Sequence, residues 1–146
     1  MTFTLVQLEA AVRAAWSLDT ADEDNDWTPD NPSCGQCDIT SLVVNDLLGG
    51  DLLAADVFLD GVRVEAHMWN RLPSGLDVDL TREQFRSGQV VGEPNVLTRP
   101  ATFDPAHPRY HRYEQYLVLA ARVRATLGLS DPDTGRVSQA GVASGA

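Results

Sequence analysis

Lysine is absent from this 146-residue chain, in which all eleven basic residues are arginine. Schiff-base chemistry on lysine and a lysine general base are therefore excluded. Positive charge is scarce in any form, with 11 Arg against 21 Asp and Glu and a formal net charge of -10. A domain this acidic lacks the basic footprint that phosphate backbones and anionic bilayers require, so neither nucleic acid nor membrane is expected as a partner. No apolar run approaches the roughly 18 residues of a membrane span. Met1 to Trp16 has no basic start and no apolar block, and carries Gln7 and Glu9, so it does not read as a signal peptide. Two cysteines are too few for a disulfide scaffold. These absences leave a cytoplasmic protein of about one domain, and 43% hydrophobic residues suffice to bury an ordinary core.

The apolar pattern divides the chain. Thr4-Leu5-Val6-Gln7 has the form of a capping box, and Leu5, Leu8, Val12, Ala15 and Trp16 follow at helical spacing, which predicts a helix over 4–16. Residues 17–34 carry acids, prolines and Trp27 without a period and read as a long loop, of a length that in compact domains is usually functional or disordered; a solvated acidic loop pinned by Trp27 and a substrate-lining segment are both open readings. Ile39, Leu42, Val43, Leu47 and Leu48 form a helical stripe over 35–48, ended by Gly49-Gly50. The period then changes to two. Leu52 to Leu59 is one strand, Asp60-Gly61 a hairpin turn, and Val62, Val64, Ala66 and Met68 alternate with Arg63, Glu65, His67 and Trp69. Pro73-Ser74-Gly75 turns the chain into a third strand, in which Leu76, Val78 and Leu80 alternate with Asp77 and Asp79. Thr81 to Phe85 reads as a capped helical turn, residues 86–107 as irregular, and Pro108 to Leu127 as a last helix closed by Gly128. The expected fold is α+β: a single domain over 1–128 with a loose tail over 129–146, its Cys-bearing helix packed on an antiparallel meander of at least three strands and flanked by the terminal helices.

Cys37 stands where the long loop turns into the second helix. Unpaired N–H donors and positive partial charge at a helix start favour thiolate and can hold a developing oxyanion, with the Cys37 amide itself as one donor. Such a thiol needs a base, and the base needs an orienting group. Pairing residues 70 and 76 around the Pro73 turn sets His67 opposite Asp79, Met68 opposite Val78 and Ala66 opposite Leu80. That register puts the apolar side chains on one face and His67, Asp77 and Asp79 on the other. Opposed Cβ atoms lie roughly 5 Å apart, within reach of a carboxylate–imidazole bond that would fix the His67 tautomer. Taken separately, a small buried Cys and a surface His–Asp pair are the plain readings. The order Cys on a helix, His on a strand, Asp on the next strand is what points to nucleophilic catalysis.

Three stretches also carry a resemblance. Asn31-Pro32-Ser33-Cys34-Gly35-Gln36-Cys37, His67-Met68-Trp69-Asn70 and Asp79-Leu80-Thr81-Arg82-Glu83-Gln84-Phe85 resemble the YunG-like family of small bacterial proteins, with similarity extending from Trp16-Ser17-Leu18-Asp19-Thr20 to the C-terminal helix. More distantly, the Cys, His, Asp order is similar to that of transglutaminase-like and papain-like cysteine enzymes. That likeness implies their fold, with a Cys37 nucleophile, a His67 base and an Asp79 orienter. The expected activity is a hydrolase or an acyl or amido transferase acting on a small molecule or peptide, without metal or cofactor. Cys37 and Gln36 are the candidate oxyanion donors, and Trp16, Asp19, Trp27, Asn31, Trp69 and Asn70 the expected pocket lining.

Other chemistries remain open at this level. Cys34-Gly35-Gln36-Cys37 is a C-x-x-C at a helix start, as in dithiol oxidoreductases, although no strand precedes it. Cys34, Cys37 and His67 would make three zinc ligands, without a second ligand pair. Asp22, Asp24 and Asp26 alternate as in a calcium loop, but Trp27 and Ser33 stand where glycine and a bidentate Glu are needed. A non-catalytic binding module retaining the fold is the alternative from another class.

Overall fold

The computed structural model describes residues 3–23, 26–99, 106 and 111–130, so most of the expected tail and the first residues of the expected last helix lie outside the described residues. Helix α1 spans Leu5–Ala15. Its capping box is present in both directions: Thr4 Oγ1 accepts from the Gln7 amide at 3.1 Å, and Gln7 Oε1 accepts from the Thr4 amide at 2.8 Å. Helix α2 spans Cys37–Leu48 and starts two residues later than the stripe predicts. Its end depends on Gly50, at φ +83°, where a Cβ would sit 2.2 Å from the Arg71 carbonyl oxygen. Helix α3, Tyr113–Leu127, ends on Gly128 in the left-handed region as expected. His111 and Arg112 precede this helix, against the expectation that it already included them, because Arg112 holds a non-helical ψ of 44°.

The meander is present as β1 (Asp51–Leu59), β2 (Val62–Arg71) and β3 (Asp77–Val78). Asp60 and Gly61 both take positive φ, 52° and 78°, the backbone of a type I′ hairpin. Residues 86–107 correct the expectation of irregular chain. Within them, β4 (Gln89–Val91) and β5 (Asn95–Leu97) pair antiparallel with the two ends of one edge of β1. The sheet runs β3-β2-β1-β4, with β5 also on β1. Three-residue strands are too short to show a period, which is why the pattern missed them.

The register of β2 and β3 is also corrected. Asn70 pairs with Val78 and Arg71 with Asp77, two residues away from the expected pairing, because the turn centres on Ser74 rather than on Pro73. Leu72 closes it, donating to Leu76 O at 2.8 Å and accepting from the Gly75 amide at 2.8 Å. β3 then lasts only two residues, and Asp79 lies just past its end.

On one face of the sheet α2 packs against β1 and β2, and α3 packs against α2 and α1. Leu8, Val12, Ile39, Val43, Leu119 and Val123 meet Leu52, Ala54, Met68, Val78 and Leu80 there in one buried cluster. Strand alternation sends His67 and Trp69 to the other face, opposite Ala55 and Leu53 of β1. Only the far half of β2 is covered. Val62 and Val64, expected on the core face, are 64% and 45% exposed, and Ala66 is exposed as well. Among the described residues no helix is long and apolar enough to cross a membrane.

Candidate active site

His67 is the best-enclosed ionisable side chain of the sheet, with 0% exposure. Its ring lies parallel to Trp69 at 5.6 Å between centroids and takes the edge of Phe85 at 4.5 Å. Nε2 meets Asp79 Oδ2 at 2.7 Å, and Nδ1 meets the Gln84 amide nitrogen at 3.0 Å. The carboxylate is itself held: the Thr81 amide donates to Asp79 Oδ1 at 3.2 Å and the Thr81 hydroxyl at 3.4 Å. The structure thus brings His67 and Asp79 together despite the changed register. An offset of two residues preserves the side of the sheet, so the pair becomes diagonal rather than directly opposed.

Cys37 opens α2 as expected, but its environment differs from the expectation of a favoured thiolate. Burial pushes the Cys37 thiol up to about 12, the Asp38 carboxylate adds to this, and a backbone hydrogen bond from Met68 opposes it. Desolvation of the charged form outweighs the helix-terminal field here. The sulfur meets β2 on a stretch with no β3 beside it, since β3 pairs only Asn70 and Arg71. Among the described residues no hydrogen bond joins this sulfur to His67, whose two ring nitrogens are taken by Asp79 and Gln84. The expected direct thiol–imidazole hydrogen bond is therefore not formed.

The other predicted residues separate into two groups. Trp69 adjoins the site, stacked on His67 with Nε1 donating to Asp77 Oδ2 at 3.2 Å. The rest are structural ties. Trp16 is buried and donates to Thr40 Oγ1 at 2.9 Å, and Asn70 is buried and donates to Ser41 O at 2.9 Å. Trp27 donates to Pro32 O at 2.9 Å, Asn31 closes a turn onto Thr28, and Asp19 is bound by Arg122, which holds its carboxyl down at about 2. Gln36 is fully buried with its amide nitrogen, the expected oxyanion donor, committed to Ser17 O at 3.1 Å, and its Oε1 has no hydrogen-bond partner among the described residues. A depression of about 200 Å³ beside Asp79 is lined by α1 and β3 and reaches neither Cys37 nor His67.

Sequence reasoning missed Arg112, which is buried and donates to Asp38, to Gly35 O at 3.3 Å and to Thr20 O. It fastens the long loop to the first turn of α2 beside Cys37. It also missed Thr81, Gln84 and Phe85 as parts of the site, although all three lie in the stretch that carried the family resemblance. Among the described residues no group of three His, Cys, Asp or Glu side chains could hold a metal ion, so Cys34, Cys37 and His67 do not form the zinc alternative. Asp24 of the acidic loop lies outside the described residues.

Over 76 residues the chain is 34% identical to the protein YunG of Bacillus subtilis (strain 168), a match covering 52% of this chain and 58% of that protein. The aligned stretch thus spans little more than half of that relative. No solved structure matches the chain. The family model described as YunG protein matches residues 4–128, nearly all of the α+β domain, and the chain belongs to the YunG family.

Proposed function

We propose that this protein is a cysteine-nucleophile hydrolase or acyl or amido transferase acting on a small molecule or peptide. The observation that carries the reading is the buried His67, gripped through Nε2 by Asp79 at 2.7 Å. An ionised carboxylate only accepts, so this bond places the ring proton on Nε2 and leaves the lone pair on Nδ1. A base so prepared on a strand, in a chain with a thiol at a helix start and a carboxylate after the next strand, shares its order with the transglutaminase-like and papain-like enzymes. In the proposed reaction the Cys37 sulfur forms a bond to an acyl or amide carbon while its proton passes to His67 Nδ1. The oxyanion accepts from the first amides of α2, beginning with that of Cys37. The leaving group departs with the proton from Nδ1, and water or an amine then takes the acyl group from sulfur. Asp79 stays ionised and holds the ring.

At pH 8 a thiol raised from 9.0 to about 12 reacts with iodoacetamide about a thousandfold more slowly than an ordinary one. Labelling of Cys37 by mass spectrometry should therefore climb steadily between pH 8 and 11 without a plateau near 9. Acyl donors test the chemistry separately. Intact mass after incubation with small esters and activated amides should show one adduct at neutral pH, lost in Cys37→Ala and retained in Cys34→Ser. The high thiol value and the occupied Nδ1 favour a second reading, a non-catalytic binding module. That reading holds if no acyl donor in the series modifies Cys37 at neutral pH. A Cys34→Ser variant that loses the adduct would instead favour the dithiol chemistry of the C-x-x-C.

A further inference from the structure

Gln84 occupies the nitrogen that the proposed reaction needs. It sits on a one-turn helical segment, Arg82–Gln84, and is half-buried. Because Nε2 of His67 donates to Asp79, Nδ1 of the neutral ring can only accept, and the Gln84 amide nitrogen 3.0 Å away is the matching donor. The same amide reaches Thr81 Oγ1 at 3.4 Å, and that hydroxyl lies 3.4 Å from Asp79 Oδ1. His67, Asp79, Thr81 and Gln84 therefore close one loop of hydrogen bonds, in which the direction of each bond depends on its neighbours.

We propose that Gln84 is a positioning residue that responds to the protonation of His67, donating its amide to Nδ1 of the neutral ring and turning over to present Oε1 when Nδ1 gains a proton. A proton on Nδ1 removes the lone pair, and two N–H groups then face each other at a distance where neither has an acceptor. Rotation of the amide by half a turn restores a donor–acceptor match. Gln84 is half-exposed, so this rotation requires no repacking of the core. The inference rests on His67 as the base of the proposed reaction, yet it concerns ring nitrogens that can be read whether or not Cys37 reacts.

The test is long-range ¹H–¹⁵N correlation spectroscopy of the His67 ring at neutral pH in the wild type, Gln84→Met and Gln84→Glu. The wild-type ring should show a protonated Nε2 and an unprotonated, hydrogen-bonded Nδ1. In Gln84→Met, Nε2 should stay protonated on Asp79 while the Nδ1 signal shifts to that of a lone pair without a donor. In Gln84→Glu the added carboxylate accepts from Nδ1, and both ring nitrogens should be protonated. A Gln84→Met ring with the wild-type Nδ1 signal overturns the proposal, as does a Gln84→Glu ring whose Nδ1 stays unprotonated. A purely structural Gln84 would lower the thermal midpoint of both variants and leave the ring pattern unchanged, which is the overturning result. Gln84→Met decides the matter alone if the charged variant does not fold.

Discussion

Replacing Arg112 by methionine should lower the stability of the domain by about 3 kcal/mol or more, the scale seen when one partner of a buried ion pair is removed. The guanidinium is enclosed, and its nitrogens serve Asp38 and the carbonyls of Gly35 and Thr20, with Nε on Gln115 Oε1 at 2.8 Å. Methionine fills much of the space but supplies no donor, leaving the buried Asp38 carboxylate with the Ile39 amide and Gly35 O with the Asp22 amide, while Thr20 O loses the guanidinium. Urea denaturation followed by tryptophan fluorescence measures the loss. Its pH dependence has a definite sign. Burial already pushes the Asp38 carboxyl above its ordinary 3.8, and Arg112 is the largest influence holding it back. Without Arg112 the folded-state value rises further, so the native state binds a proton that the unfolded state has lost, and stability falls as pH rises through that window. The deficit of the variant should therefore be largest at neutral pH and shrink on acidification toward 4. Adding Asp38→Asn should recover part of the loss at neutral pH, and a deficit that stays constant from pH 4 to 7 would remove Asp38 from the explanation.

Asp79→Asn should slow formation of the Cys37 acyl adduct by about 10²–10⁴-fold, the span that general acid–base assistance contributes. Asp79 uses both oxygens, one for His67 and one for Thr81. Asparagine has one carbonyl oxygen. If that oxygen turns to the Thr81 amide, its NH₂ group faces Nε2, and the ring proton is driven to Nδ1, where it blocks the base. Asp77→Asn supplies the control, since Asp77 is exposed and paired with Arg71 rather than with the ring. Time-resolved intact mass under identical acyl-donor conditions gives both rates. Equal slowing in the two variants would refute a specific role for Asp79.

What could be read from sequence followed how locally it was encoded. The capping box of Thr4 and Gln7 spans three residues, and the Asp60-Gly61 hairpin is written in two, so both were legible. The β2–β3 register was legible only up to its parity: alternation says which side of the sheet His67 and Asp79 take, whereas the residue on which the Leu72–Leu76 turn centres sets the offset. The grip of Gln84 on His67 crosses 17 residues, and that of Arg112 on Asp38 crosses 74. Neither follows from a period, and both side chains read as ordinary surface polar residues until the fold brings them inward. The thiol environment was misread for a related reason. A helix start can be seen in sequence, but the desolvation that overrides it comes from packing by distant elements.

The turn between β2 and β3 acts as an odd–even counter for the site. One residue inserted between Leu72 and Leu76 and carried into the ladder would rotate the downstream chain by one side-chain step, swinging Asp79 to the helix-packed side and placing Val78 where the carboxylate belongs. Two inserted residues would restore the side at the cost of a looser loop. The imidazole and its carboxylate therefore share a side only while any added residue is absorbed within the loop and the Arg71–Asp77 pair is kept.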